Sequence, residues 1–425
     1  MIDLCLFDFD NTLVMTDDLK DIRERGRNQD SDRSYRTELE SLIGDIASRL
    51  IYTEEDLQKL RAQNPDTKFA LFTLAPLAYL EVIDNLVYPN FHWDTVIFYE
   101  SITENRYKPN GFGIEMTMER FGLLDPSRVA MVGDSIKDIE SAYNAGCYAV
   151  LDQTSWPEIK TERHWSAIKL IPDLTVKSKS QLSEFLRDPS SFLPALESLL
   201  DKNCSQTENF DLRNLRFDST YYFAPHENID FNRRVEIHCA GRLFTNYKSL
   251  EARRIWHNLT ESIHKQKDIE RFEISWLYVI LGFIENQYKA LHLRKRPLIV
   301  STIPDRSGRI PRQRALIEQL YRLYQNTEPN SARKKKIKFI TDIFEFKSSA
   351  RSNSADHLSR TERFDNLANN LFIPESSKIP GNDYLIIDDV VTSGASLMYA
   401  RKKLKEAGAR NVTLFALAKT ITNLK

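Results

Sequence analysis

The stretch Leu6-Phe7-Asp8-Phe9-Asp10-Asn11-Thr12-Leu13 decides the fold of the first half of the chain, because a short apolar run there ends on two carboxylates two residues apart. A short apolar run bounded by turn-forming residues reads as a buried strand of a parallel sheet. Open α/β sheets bind their ligands beyond the carboxyl ends of their strands, which is where Asp8 and Asp10 emerge. Similar runs recur at residues 69–74, 95–98, 129–132 and 148–151, separated by amphipathic segments. That alternation predicts right-handed βαβ units in a doubly wound sheet. Thr73, Lys108, Asp134 and Asp138 all fall near the ends of these strands.

The chemistry of such a cluster is specific. Asp8 is placed to attack phosphorus, and Asp10 to protonate the leaving oxygen and then deprotonate water. A carboxylate approaching a phosphate dianion needs a cation between them, and Mg²⁺ with hard oxygen ligands from Asp8, Asp10, Asp134 and Asp138 would supply it. Thr73 and Lys108 would hold the phosphoryl oxygens. Taken in order, Asp8, Asp10 and Thr12 (DxDxT), Thr73, Lys108, and Asp134 with Asp138 (GDxxxD) resemble the haloacid dehalogenase superfamily. The resemblance spans residues 1–152 and is nearest to the nucleotidase branch. It implies an Mg²⁺-dependent phosphohydrolase working through an aspartyl-phosphate. It also implies that the charged insertion at about residues 15–63 is a small helical cap that sets substrate choice.

A second acidic pair stands in Tyr384-Leu385-Ile386-Ile387-Asp388-Asp389-Val390-Val391-Thr392-Ser393-Gly394-Ala395-Ser396. The small residues from Thr392 to Ser396 suit an anion site at a helix N-terminus, where backbone N–H groups can close on a phosphate. The lysine of a Walker loop is missing, which argues against triphosphate hydrolysis. Two acids before a hydroxyl-rich loop suit a ribose 5-phosphate, the loop taking the phosphate while Asp388 and Asp389 take the sugar hydroxyls. This stretch resembles the signature of type I phosphoribosyltransferases. Asp305 and Arg306 in STIPDR would supply the pyrophosphate turn, in a form bulkier than that family's usual one. His357, Leu358, Arg360, Arg363 and Asn366 resemble the competence-protein ComF branch. Phosphoribosyl diphosphate or a nucleotide, with pyrophosphate as co-product, are the ligands implied.

The bulk properties agree. At 425 residues the chain is too long for one core. We expect an α/β protein with two doubly wound parallel sheets: residues 1–152, a mostly helical connector at 153–205, and residues 206–425 with a helical extension at about 249–293. A formal net charge of -1 provides no field for nucleic acid or an anionic membrane. No run is long enough to span a bilayer, and four scattered cysteines suit a cytoplasmic protein. The sequence permits a homo-oligomer. Two functional readings stay open: a bifunctional phosphatase and phosphoribosyltransferase, or a phosphatase regulated by a domain that senses phosphoribosyl diphosphate or a nucleotide.

Overall fold

The computed structural model describes residues 1–28, 33–201, 214–225, 234–266, 269–293, 295–305, 310–327, 334–351, 358–375, 377 and 379–422. The chain divides mainly into two compact units, Met1–Leu193 with Phe244–His257, and Pro194–Leu243 with Asn258–Ile421.

In the first unit, six strands form one parallel sheet: β1 (Leu4–Phe7), β2 (Lys68–Phe72), β3 (Thr95–Ile97), β4 (Val129–Gly133), β5 (Tyr148–Asp152) and β6 (Leu174–Val176). Their order is β3-β2-β1-β4-β5-β6, so the chain winds outward in both directions from the β1–β4 pair. Every side chain of β1 is fully buried, as a continuous apolar strand demands. Phe7 pairs with Val132, and the Asp8 N–H donates to the Val132 carbonyl at 2.8 Å. That register brings Asp8 and Asp134 out side by side at the switch point, where doubly wound sheets bind ligands.

Between β1 and β2 lie the helices Lys20–Arg25, Arg33–Ile43 and Glu54–Gln63. The third starts on a reciprocal cap: Thr53 Oγ1 accepts from the Asp56 N–H, and Asp56 accepts from the Thr53 N–H. Leu57 and Leu60, one turn apart, turn its apolar face inward.

Residues 153–205, expected as a connector, are instead shared between the two units. β6 pairs with β5, and the helices Glu162–Lys169 and Lys179–Arg187 belong to the first unit, while Ala195–Asp201 belongs to the second. The reason is apolar area: Leu174, Val176, Leu182, Phe185 and Leu186 are buried in the first core. The helical stretch expected at 249–293 is likewise divided into Glu251–Trp256, Asn258–Gln266 and Ile274–Gln287, of which the first belongs to the first unit.

That short helix is held by Arg253. Its guanidinium pairs with Asp173, Nη2 to Oδ1 at 2.6 Å and Nη1 to Oδ2 at 3.2 Å, and Nη1 also donates to the Cys147 carbonyl at 2.7 Å. Both side chains are fully buried, and the guanidinium lies over the Trp256 ring at 4.0 Å. Gly146 ends the helix Ile136–Ala145 with φ of 80°, and a Cβ there would stand 2.6 Å from that of Ala252. The turn and the close approach both require glycine.

The second unit is built from β7 (Asp218–Tyr222), β8 (Val235–Cys239), β9 (Arg242–Phe244), β10 (Leu298–Thr302), β11 (Ile337–Phe339), β14 (Asp383–Val391) and β15 (Asn411–Ile421), with β12 (Glu345–Phe346) and β13 (Leu371–Phe372) as a separate pair. The main order is β11-β10-β14-β15-β8-β7, with β9 on β15. This sheet is mixed, not purely parallel as expected, because β7 runs antiparallel to β8. β7 alternates buried and partly exposed residues over its last three positions, a pattern that suits an edge strand with one wet face. Glu197 and Arg242 form a second fully buried ion pair, with Arg242 N and Nε donating to Oε1 at 2.7 and 2.9 Å. Among the described residues, no helix is long and apolar enough to cross a membrane.

Candidate functional site

The turn after β1 is shaped by Asn11, which adopts φ of 58°, a conformation asparagine tolerates better than most residues. Its Oδ1 accepts from the Thr16 N–H at 3.0 Å and its Nδ2 donates to Asp17 at 2.8 Å. The turn leaves Asp8 and Asp10 on one edge. Lys108 reaches that edge with a side chain only 3% exposed, its Nζ donating to Asp8 Oδ1 and to Asp138 Oδ1, each at 2.7 Å. Burial works against the ammonium charge, but Asp138 and Asp8 outweigh it and hold the Lys108 pKa above its ordinary value.

Asp138 is fixed from its own helix start: Oδ2 accepts from Ser135 N at 3.1 Å and from Ser135 Oγ at 2.6 Å. A Cβ on Gly133 would stand 2.2 Å from the Asp138 carboxyl carbon, so this carboxylate fits only over a glycine. With both oxygens engaged, Asp138 aims Lys108. Asp134 sits one residue past β4, and its backbone carbonyl accepts from Trp156 Nε1 at 3.0 Å. Among the described residues no hydrogen bond engages its carboxylate.

Acceptor oxygens of Asp8, Asp134 and Asp138 all lie within 4.8 Å of one another. Burial pushes the Asp8 carboxyl up to about 7, with Asp138 and Asp10 adding to the rise and Lys108 opposing it. Burial, then the Asp138 and Asp8 charges, push Asp134 up to about 8. Of the four carboxyl groups, counting Asp10, Lys108 contacts Asp8 and Asp138 and Arg23 contacts Asp10, and among the described residues no cation is in contact with Asp134, so acids outnumber cations four to two. Hard oxygen donors with excess negative charge fit a divalent ion of the Mg²⁺ kind.

Asp10 has a different environment. Its Oδ1 receives Thr16 Oγ1 at 2.6 Å, Tyr79 OH at 3.1 Å and Arg23 Nη1 at 2.8 Å. Thr73, one residue past β2, is buried on the same sheet edge, and its Oγ1 accepts from the Ala75 N–H at 3.0 Å. The Thr12 hydroxyl is buried and has no hydrogen-bond partner among the described residues.

Arg23, Thr16, Tyr79 and Trp156 were not legible as site residues. Arg23 sits in a strongly charged insertion, and Tyr79 reads as one more apolar position of a helix. Only the fold brings them to Asp10 and Asp134.

Residues 90–151 match the haloacid dehalogenase-like hydrolase family. The matched segment carries Lys108, Asp134 and Asp138, while Asp8 and Asp10 lie upstream of it. Solved structures were also matched. A putative haloacid dehalogenase-like hydrolase from Bacteroides fragilis is 19% identical, covering 43% of this chain and 100% of that one with a TM-score of 0.32. A predicted phosphoglycolate phosphatase from Haemophilus somnus is 18% identical over 43% and 97%, TM-score 0.31. CbbY from Rhodobacter sphaeroides in complex with phosphate is 18% identical over 43% and 96%, TM-score 0.29. No curated protein matches the chain.

In the second unit, Asp388 and Asp389 are the sixth and seventh residues of β14, which runs on to Val391. Asp388 Oδ1 accepts from the Asp389 N–H at 3.0 Å, and Asp389 Oδ1 from the Val390 N–H at 2.8 Å. Thr392 Oγ1 lies 2.9 Å from Thr420 Oγ1, and the Ser393 hydroxyl accepts weakly from the Ala395 N–H at 3.5 Å. Gly394 has φ of 76° and caps the helix Ala395–Glu406, which includes Ser396; a Cβ on Gly394 would meet the Tyr222 ring at 2.7 Å.

Asp305 has another task than the pyrophosphate turn. Its two oxygens accept from the backbone N–H groups of Gln313 and Arg314 at 2.9 and 3.0 Å, capping the helix Arg312–Thr327. Arg306 and His357 lie outside the described residues. Arg312, which the sequence did not mark, stands with Nη2 3.9 Å from Asp389 Oδ2, and among the described residues its buried Nε has no hydrogen-bond partner. A cleft of about 350 Å³ opens between Pro304 and Asp305 on one side and the stretch from Phe344 to Ser348 on the other.

Proposed function

We propose that the first unit is a phosphomonoester hydrolase acting on a nucleotide or a phosphorylated ribose. The observation that carries this reading is Lys108 clamped between Asp8 and Asp138, with Asp134 beside them. Lys108 holds the phosphoryl oxygens close to Asp8 and offsets their charge, with Thr73 as a further donor. An Asp8 oxygen attacks phosphorus while the bond to the leaving oxygen breaks, and Asp10 delivers a proton to that oxygen. Water then attacks the aspartyl-phosphate, giving its proton to Asp10 and freeing the Asp8 carboxylate and inorganic phosphate. Asp8, Asp134 and the Asp10 carbonyl would hold Mg²⁺, which supplies charge neutralisation between nucleophile and substrate. The test is phosphate release from nucleoside monophosphates and p-nitrophenyl phosphate with Mg²⁺. Release should be lost in Asp8→Asn; release that persists in that variant overturns the assignment.

For the second unit we propose a phosphoribosyl site at Asp388, Asp389 and the loop from Thr392 to Ser396, supported by the left-handed Gly394 at a helix start. The capping role of Asp305 favours ligand sensing over transfer, because both its oxygens are taken by backbone N–H groups and are not free to help hold a metal-bound pyrophosphate. Replacing Asp388 and Asp389 together by Asn should weaken calorimetric binding of phosphoribosyl diphosphate at least tenfold, roughly the loss of one charge-assisted hydrogen bond. Unchanged affinity removes the site. Pyrophosphate release with a panel of bases would restore the transferase reading.

A further inference from the structure

We propose that the second unit carries a further anion site, at the amino-terminal edge of its sheet, where Arg401 and Lys405 take a dianionic phosphate group, free or on a small molecule. This site is separate from the two already described and independent of the readings given to them.

A cleft of about 360 Å³ opens at that edge, where the helix Ile274–Gln287 ends, β14 and β15 begin, and the second half of the helix Ala395–Glu406 passes. Its volume lies near the lower end of the roughly 300–1,000 Å³ of small-molecule sites. Gln287, Tyr288, Asp383, Arg401, Lys405 and Asn411 contribute to its lining. Tyr288 is buried, and its hydroxyl donates to Thr413 Oγ1 at 2.9 Å, which fixes one wall. Asp388 and Asp389 stand toward the other end of β14. At roughly 3.3 Å per residue the stretch from Asp383 to Asp389 spans about 20 Å, too far for one small ligand to fill both places.

The charges of the cleft do not cancel. Among its lining residues Asp383 is the acid, and that carboxylate is already matched: Oδ1 accepts from Asn411 Nδ2 at 2.9 Å and pairs with Arg410 Nε at 3.2 Å. Lys405 Nζ donates to the Arg410 carbonyl, a neutral partner that leaves the ammonium charge unmatched. Arg401 is half-buried, and among the described residues no hydrogen bond, ion pair or ring contact engages its guanidinium. With Asp383 set against Arg410, two positive charges remain, the complement of a phosphate dianion.

Helix electrostatics account for only one of them. Lys405 lies in the last turn, where the negative end of the helix dipole favours a cation, but that effect fades within the turn and does not explain Arg401. Four residues apart, the two cations share one helix face and repel each other. A half-buried guanidinium without an acceptor is itself unfavourable. An anion in the cleft relieves both costs, and the planar fork of N–H donors on Arg401 suits two oxygens of one phosphate.

The experiment follows phenylglyoxal modification of Arg401 in the full chain by peptide mass spectrometry, with inorganic phosphate or AMP as probe. With about 5 mM probe and a Kd of about 1 mM, modification of Arg401 should slow about sixfold. The exposed Arg322 should react at an unchanged rate. In Lys405→Gln, checked for folding by circular dichroism, loss of one charge-assisted contact raises Kd about tenfold, so the slowing should fall to about 1.5-fold. Equal protection by both probes assigns the site to the phosphate group alone, and stronger protection by AMP assigns it to a nucleotide. Protection by neither, protection matched by sodium chloride at equal ionic strength, or protection undiminished in Lys405→Gln overturns the proposal, as does an Arg401 that fails to react without ligand.

Discussion

Replacing Lys108 by Met keeps the length of the side chain and removes its charge, which tests the clamp directly. Lys108 makes two 2.7 Å contacts to carboxylates that are 14% and 1% exposed, from a side chain itself 3% exposed. Removing one partner of a buried pair costs about 3–5 kcal/mol because the other charge stays buried. Asp8 can soften that cost by taking a proton, since its carboxyl already stands at about 7 and Lys108 is the group holding it down. The loss of Lys108 raises that value further. A carboxyl whose pKa is raised on folding is most stabilising below its unfolded value near 4, and that stability is lost as pH rises through the folded value. The variant should therefore be destabilised more at pH 8.5 than at pH 6, by a difference of about 1–2 kcal/mol.

Urea unfolding followed by tryptophan fluorescence reads this well, because Trp93, Trp156, Trp165 and Trp256 lie in the first unit and only Trp276 in the second. Adding Mg²⁺ should recover part of the lost stability by mass action, and phosphate release should fall about 10²- to 10³-fold. A cost under about 1 kcal/mol that is flat with pH would refute the clamp, because a buried ammonium between two carboxylates cannot be that cheap to remove.

Two further outcomes follow from buried groups away from the site. Arg253→Met leaves Asp173 buried without its guanidinium and should destabilise the first unit by about 3–5 kcal/mol in urea melts, with Asp173→Asn in the same chain recovering part of it. Burial pushes the Asp84 carboxyl up to about 6, against a Trp93 hydrogen bond that lowers it. Asp84→Asn keeps an acceptor for Trp93 Nε1, now 3.1 Å from Asp84 Oδ1, and drops the charge. It should match wild type near pH 4 and become about 1–3 kcal/mol more stable as pH passes 6, seen as a rising difference in melting temperature.

Composition and periodicity were enough for the α/β class and for the strand ends that carry Asp8, Thr73 and Asp134. These are local properties: an apolar run makes a strand, and a carboxylate or glycine just past it reads as a turn at a sheet edge. The motif order also brought Lys108 into the set, although nothing near it in the chain shows which carboxylates it meets.

What the local signals could not decide is where distant pieces return. The helix Glu251–Trp256 looked like the start of one long helical stretch, yet buried charge pairing between Arg253 and Asp173 draws it into the first unit. β6 left the expected connector because its apolar residues find a sheet edge to cover. Asp305 looked like a ligand turn and became a helix cap, since the N–H groups that claim it lie eight and nine residues away. The Arg23–Asp10 pair has the same origin: a charged insertion has no period that singles out one arginine, and the approach of that segment to the sheet edge selects it. Residue type and spacing by themselves determined which groups could do chemistry in this protein. Which of them meet was decided only by the tertiary structure, because burial and charge pairing act between residues that the chain order keeps far apart.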